Sequence, residues 1–155
     1  IVNDLNDKSR KIGEYTAFQT ANIIARTLFA EAREDGESGL NAVASVIYNR
    51  ANGKVVNFAK VCGKYSWSKK HKRYVHQFSC WNRNDPQSSK LPNLTYIELK
   101  RELRIIREVA SGVYNDITGG ATHYYNPRAC AKPKWAIGKV PCYTHGNHLF
   151  FKDID

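Results

Sequence analysis

The chain has 155 residues, 42% of them hydrophobic, which is the size of one ordinary globular domain with enough apolar side chains for a single core. No stretch reaches the roughly 20 apolar residues that cross a bilayer; the nearest, Ile23 to Ala32, is interrupted by Arg26 and Glu31. A formal net charge of +10 suits nucleic acid, an anionic membrane surface or the anionic polymers of a bacterial envelope, and does not choose among them.

One domain over 1–155 is expected, with residues 1–14, polar and mixed in charge, as a loosely packed arm. The sequence holds no Met and opens at Ile1, so the initiator and any leader are expected to lie outside it. Thr16 and Gln19 make a capping box, and Phe18, Ala21, Ile24, Ala25 and Leu28 recur at helical spacing through about Ala32. Glu34, Asp35 and Gly36 break that pattern. A second helix starts near Glu37 or Ser38, with Leu40, Val43, Ala44, Ile47, Tyr48 and Ala51 on one face and Gly53 as its stop.

From Lys54 to Leu91 the chain is aromatic, basic and irregular, with a short helix around Asn57 to Val61 and an extended piece from Val75 to Trp81. Tyr65, Trp67, Tyr74, Phe78 and Trp81 are too apolar for a free linker and suit the wall of a groove. The run Lys69, Lys70, His71, Lys72, Arg73 reads as a solvated loop. After Pro92, a capping box of Thr95 and Glu98 opens a long helix with Ile97, Leu103, Ile106, Val109, Ala110 and Val113 as its buried stripe. The stretch Gly119 to Pro127 reads as an extended segment ended by a turn.

Several groups could carry chemistry. Glu31, near the buried edge of the first helix, sits where apolar walls favour a protonated carboxyl, as a general acid requires. The bland reading, that it pairs with Arg33 or caps a turn, stands beside this one. Glu34, Asp35 and Glu37 suit the start of the second helix. His123, His145 and His148 are read as hydrogen-bonding or groove-lining side chains rather than metal ligands. No cofactor or metal is expected. Cys62, Cys80, Cys130 and Cys142 allow three pairings into two disulfides, or four reduced thiols, and lack zinc-site spacing. A nucleophilic Cys80 or Cys130 with a histidine has no motif behind it. Thr122, His123 and Asn126, flanking Tyr124 and Tyr125, are groups of the kind that grip sugars.

Two segments, Ala25-Arg26-Thr27-Leu28-Phe29-Ala30-Glu31-Ala32-Arg33 and Gly39-Leu40-Asn41-Ala42-Val43-Ala44-Ser45-Val46-Ile47-Tyr48-Asn49-Arg50, closely resemble the spore-cortex-lytic enzyme family of cell-wall hydrolases. Three more agree in order: Gln77 to Trp81, Thr118 to Pro127, and Gly146 to Phe151. The resemblance covers roughly residues 20–152. It implies a mainly α (α+β), lysozyme-like fold related to lytic transglycosylases, with Glu31 as the catalytic acid. It also implies a groove whose walls carry Gln77, Phe78 and Ser79 on one side and Tyr124, Tyr125 and Asn126 on the other. Glu34 and Asp35 stand where the family has Gly and Glu, which puts any role of that second acid in question.

The short, basic form without an evident wall-anchoring repeat is similar to bacteriophage endolysins, which are made in the host cytoplasm. The expected activity is cleavage of peptidoglycan between N-acetylmuramic acid and N-acetylglucosamine, at the bacterial wall, by a monomer that also meets anionic envelope polymers. One carboxyl acting twice yields a lytic transglycosylase; water activated by a second acid such as Asp35 or Glu37 yields a hydrolase. Outside this class stand a non-catalytic peptidoglycan-binding module and a basic nucleic-acid-binding protein, the latter without a supporting motif.

Overall fold

A computed structural model describes residues 17–155 except Tyr114. The arm expected over residues 1–14 and the side chains of the Thr16 and Gln19 capping box lie outside the described residues. Four helices, α1 (Ala17–Ala32), α2 (Gly36–Arg50), α3 (Phe58–Cys62) and α4 (Lys100–Ala110), precede most of the sheet structure. A hairpin of β1 (Tyr65–Ser68) and β2 (Arg73–His76) lies between α3 and α4. The C-terminal sheet holds β3 (His123–Tyr125), β4 (Tyr143–His145) and β5 (His148–Phe151) in the antiparallel order β3-β5-β4. The fold is therefore α+β and mainly helical. Among the described residues no helix is long and apolar enough to cross a membrane.

The first turn falls where the acids and glycine interrupt the apolar pattern. Asp35 N–H donates to the Ala32 carbonyl at 3.0 Å, and Gly36 takes φ +71°, a left-handed conformation that glycine adopts without a Cβ penalty. Leu40, Val43, Ala44, Ile47 and Ala51 pack with Ile24, Ala25 and Leu28 of α1 and with Ile105, Ile106 and Val109 of α4. The expected face of α2 thus forms. A second face forms as well: Ala42 and Val46 pack against Ala121 and Phe150 of the C-terminal sheet, so α2 is buried all round from Gly39 to Ile47. Helices clothed on both sides lose the one-sided pattern of a surface helix.

Two expectations need correction. The capping box before α4 exists, with Thr95 N–H donating to Glu98 Oε2 at 2.7 Å and Glu98 N–H to Thr95 Oγ1 at 3.3 Å. Yet the helix itself begins at Lys100, so Ile97 lies in the lead-in and is 87% exposed, while Val113 lies past Gly112 and is 79% exposed. Leu99 and Ile105 take their places in the core. The extended piece expected from Val75 to Trp81 is also divided: pairing with β1 stops at His76, and Ser79–Trp81 curl into a 3-10 turn that buries Cys80.

Candidate active site

The carboxyl of Glu31 lies on the last turn of α1, where Leu28 and Ala32 beside it are buried and Glu31 itself is partly so. Tyr124 Oη donates to Glu31 Oε2 at 2.9 Å, and the backbone N–H and thiol of Cys80 also face this carboxyl. Burial is the largest influence on its acidity and raises the pKa; the Tyr124 and Cys80 hydrogen bonds lower it, and the charge of Asp85 raises it again. The net direction is upward from the ordinary carboxylate value. An apolar wall disfavours the anion, so protonated Glu31 persists to higher pH than a surface glutamate does. Arg33 pairs instead with Glu34 at 3.6 Å and donates to Gln87 at 3.0 Å, which leaves Glu31 clear of the arginine partner considered from sequence.

Tyr124 is supported from behind. Its ring stacks on Phe150 at 5.3 Å and meets the edge of His148 at 5.5 Å. Burial and the neighbouring Glu31 carboxyl push its phenol well above the usual range, so the hydroxyl stays a donor. The β3 alternation separates the two tyrosines: Tyr124 faces Glu31, whereas Tyr125 is buried against Trp135 and Phe151. The expected pair therefore divides into one tyrosine at the carboxyl and one in the core.

The remaining residues expected at the groove scatter in their roles. Gln77 is exposed and accepts a hydrogen bond from Arg50. Phe78 is buried, its ring 6.5 Å from that of Tyr124 and beneath the Arg50 guanidinium, so it forms wall rather than sugar contact. Ser79 is exposed and donates to Asp85 Oδ2 at 2.9 Å. Thr122 Oγ1 and His123 Nδ1 share a hydrogen bond of 3.0 Å, and the His123 ring packs 5.0 Å from Trp135. Burial, followed by the charges of Arg50 and Lys64, lowers the His123 pKa, so its ring is neutral near pH 7. Asn126 Oδ1 accepts the Arg128 N–H at 2.9 Å, which makes Asn126 the head of the expected turn.

Asp35 and Glu37 are engaged away from Glu31. Asp35 Oδ2 meets His148 Nδ1 at 3.3 Å and its carbonyl meets His145 Nε2 at 2.9 Å, fastening the β4–β5 hairpin to the α1–α2 turn. Glu37 pairs with Arg104. The second acid that acts on Glu31 is Asp85, in a loop that sequence reading left unassigned; the Asn82 to Pro86 turn residues were its only signal. Arg50 was likewise missed, although an arginine ending an apolar helix invites a search for its partner.

All four cysteines are free thiols. Burial pushes the Cys62 pKa up to about 12 and that of Cys80 higher still, which suppresses the thiolate that nucleophilic catalysis needs. Among the described residues no group of three or more His, Cys, Asp or Glu side chains is placed to hold a metal.

The site thus presents a half-buried carboxyl of raised pKa, held by a phenol donor, on a mainly helical fold with a small antiparallel sheet. The sequence model of the cell wall hydrolase family matches residues 34–151, well over half of the chain, and begins three residues after Glu31. The chain belongs to the cell wall hydrolase family, whose members act on peptidoglycan. No curated protein and no solved structure matches it.

Proposed function

We propose that the protein cleaves peptidoglycan strands between N-acetylmuramic acid and N-acetylglucosamine as a lytic transglycosylase, with Glu31 first as acid and then as base. The observation that carries this reading is the contact of Tyr124 Oη with the raised-pKa carboxyl of Glu31. Glu31 protonates the bridging oxygen while an oxocarbenium-like state develops on the muramic residue. The resulting carboxylate then takes the proton of the muramic 6-hydroxyl, whose oxygen closes onto C1 to give a 1,6-anhydro end. Tyr124 steadies the carboxylate between the two steps, because its hydrogen bond favours the charged form. Exposed Gln77 and Ser79, with Thr122, His123 and Asn126, are the proposed polar contacts to the sugar.

Hydrolysis is a second reading, favoured by the charge of Asp85 acting on Glu31. In that case Asp85, rather than Asp35 or Glu37, would orient the water. Mass spectrometry of muropeptides released from purified sacculi separates the outcomes: anhydro ends support the transglycosylase, reducing ends the hydrolase. The Glu31→Gln protein is expected to lose about 10³-fold in release rate. Retention of wild-type release by that variant would remove Glu31 from the mechanism.

A further inference from the structure

Beside the Phe78 wall lies a cavity of about 410 Å³ whose lining includes Arg50, Lys60, Lys64, Asn57 and Tyr65. Three cations and no acid line it. Among the described residues none of these cations has a carboxylate partner: Arg50 donates to the neutral Gln77 amide and lies 5.9 Å from the centre of the Phe78 ring. Burial lowers the Arg50 pKa, and the groups nearest in charge, Tyr124 and Cys62, are neutral near pH 7. A partly desolvated guanidinium without a counter-charge is costly, and a site built this way favours an incoming anion.

Arg50, on the cavity wall, is linked to the Glu31 carboxyl by a short series of packed side chains. Arg50 lies over Phe78, Phe78 packs on Tyr124, and Tyr124 bonds Glu31. The peptidoglycan strand carries short peptides on its muramic residues, and these end in carboxylates.

We propose that the Arg50–Lys60–Lys64 cavity is a subsite for a carboxylate of the peptide stem borne by the strand being cut. This rests on the glycan-cleaving assignment of Glu31. The concave shape suits a single short substituent rather than a polyanion, which would be followed by a strip of cations. Asn57 and the Tyr65 phenol supply neutral hydrogen-bonding groups at the rim for peptide amides. Lys60 and Lys64 are exposed, so they are changed without disturbing the core.

The test is sedimentation of the protein with purified sacculi, in the Glu31→Gln background so that binding is read without turnover. Three substrates are compared: untreated sacculi, sacculi whose carboxylates are amidated with carbodiimide and ammonia, and sacculi stripped of phosphate polymers with hydrogen fluoride. Replacing Lys60 and Lys64 together by Ala is expected to weaken binding to untreated sacculi about tenfold and to amidated sacculi not at all. Replacing Lys69 and Lys70 at the β1–β2 tip, an equal change of charge, is expected to have less than a twofold effect. Equal losses for the two pairs, or a loss that follows phosphate stripping instead of amidation, would overturn the proposal. Failure of the catalytic assignment shows separately, as undiminished muropeptide release by Glu31→Gln.

Discussion

Two aromatic regions of this molecule have similar composition and opposite surroundings. Behind the carboxyl, Tyr124 stacks on Phe150, which packs with Ala42 and Val46 of α2. On the β1–β2 hairpin, Tyr65, Trp67 and Tyr74 also pack edge to face, at 5.4 Å and 5.2 Å, yet all three are exposed. The hairpin rings pack on one another and, at Tyr65, on the His76 ring across the strands. The C-terminal rings have a helix face behind them. Aromatic density in a sequence marks apolar surface that needs covering, and the element available to cover it decides whether the surface becomes support or exposed wall.

The largest effect that could break this contrast is expected at the support. Phe150→Ala removes a fully buried ring between α2 and Tyr124, and should cost about 3–5 kcal/mol in urea unfolding. Trp67→Ala on the hairpin should lie within about 0.5 kcal/mol of wild type in the same measurement. Equal losses would erase the distinction between the two regions.

Gly39→Ala comes next. Asp35 in the α1–α2 turn and, less closely, His145 of β4 leave no room there: an added Cβ would lie 2.2 Å from Asp35 Cβ and 3.2 Å from the His145 ring. A loss of about 1–3 kcal/mol is expected, with slower muropeptide release because the hairpin that backs Tyr124 must shift.

Tyr124→Phe keeps the stacked ring and deletes only the donor to Glu31. That hydrogen bond lowers the Glu31 pKa, so its removal raises the pKa further. The falling alkaline limb of the pH–rate profile, which reports loss of the acid form, should move to higher pH while kcat drops about tenfold. A limb that stays in place would separate Tyr124 from the acid.

The smallest expected effect is on stability and carries the opposite sign from the others. Because Glu31 has a raised pKa when folded, it stabilises the native state fully below its unfolded value, near 4.5, and that contribution is lost as pH rises through the folded value. Glu31→Gln should therefore melt at or slightly above wild type at pH 7, and gain nothing at pH 4. A lower melting temperature at pH 7 would mean that the carboxylate is held by favourable contacts rather than against an apolar wall.

Much of the helical half was legible because its pattern is local. The apolar spacing in α1 and the face of α2 from Leu40 to Ala51 follow from 3.6-residue periodicity, and Gly53 closes α2 with φ +68° and its N–H on the Tyr48 carbonyl at 2.9 Å. The stripe of α4 was misread at both ends, since Ile97 and Val113 keep the helical spacing beyond the residues that are helical. The β1–β2 hairpin was not foreseen, its strands being four residues long and exposed on most positions. Such strands lack the in-out alternation that marks a buried face.

The residues of the chain by themselves determined the class: a mainly helical fold, a carboxyl at the end of its first apolar helix, and ordered motifs shared with cell wall hydrolases. Only the tertiary structure decided which groups meet that carboxyl. Tyr124 is 93 residues from Glu31 in sequence, and the charge of Asp85 acts on it while the nearer Asp35 is turned to His148. Local spacing governs which face of a helix is apolar, but acidity is set by burial and by charges brought together from distant segments, and neither exists until the chain has folded.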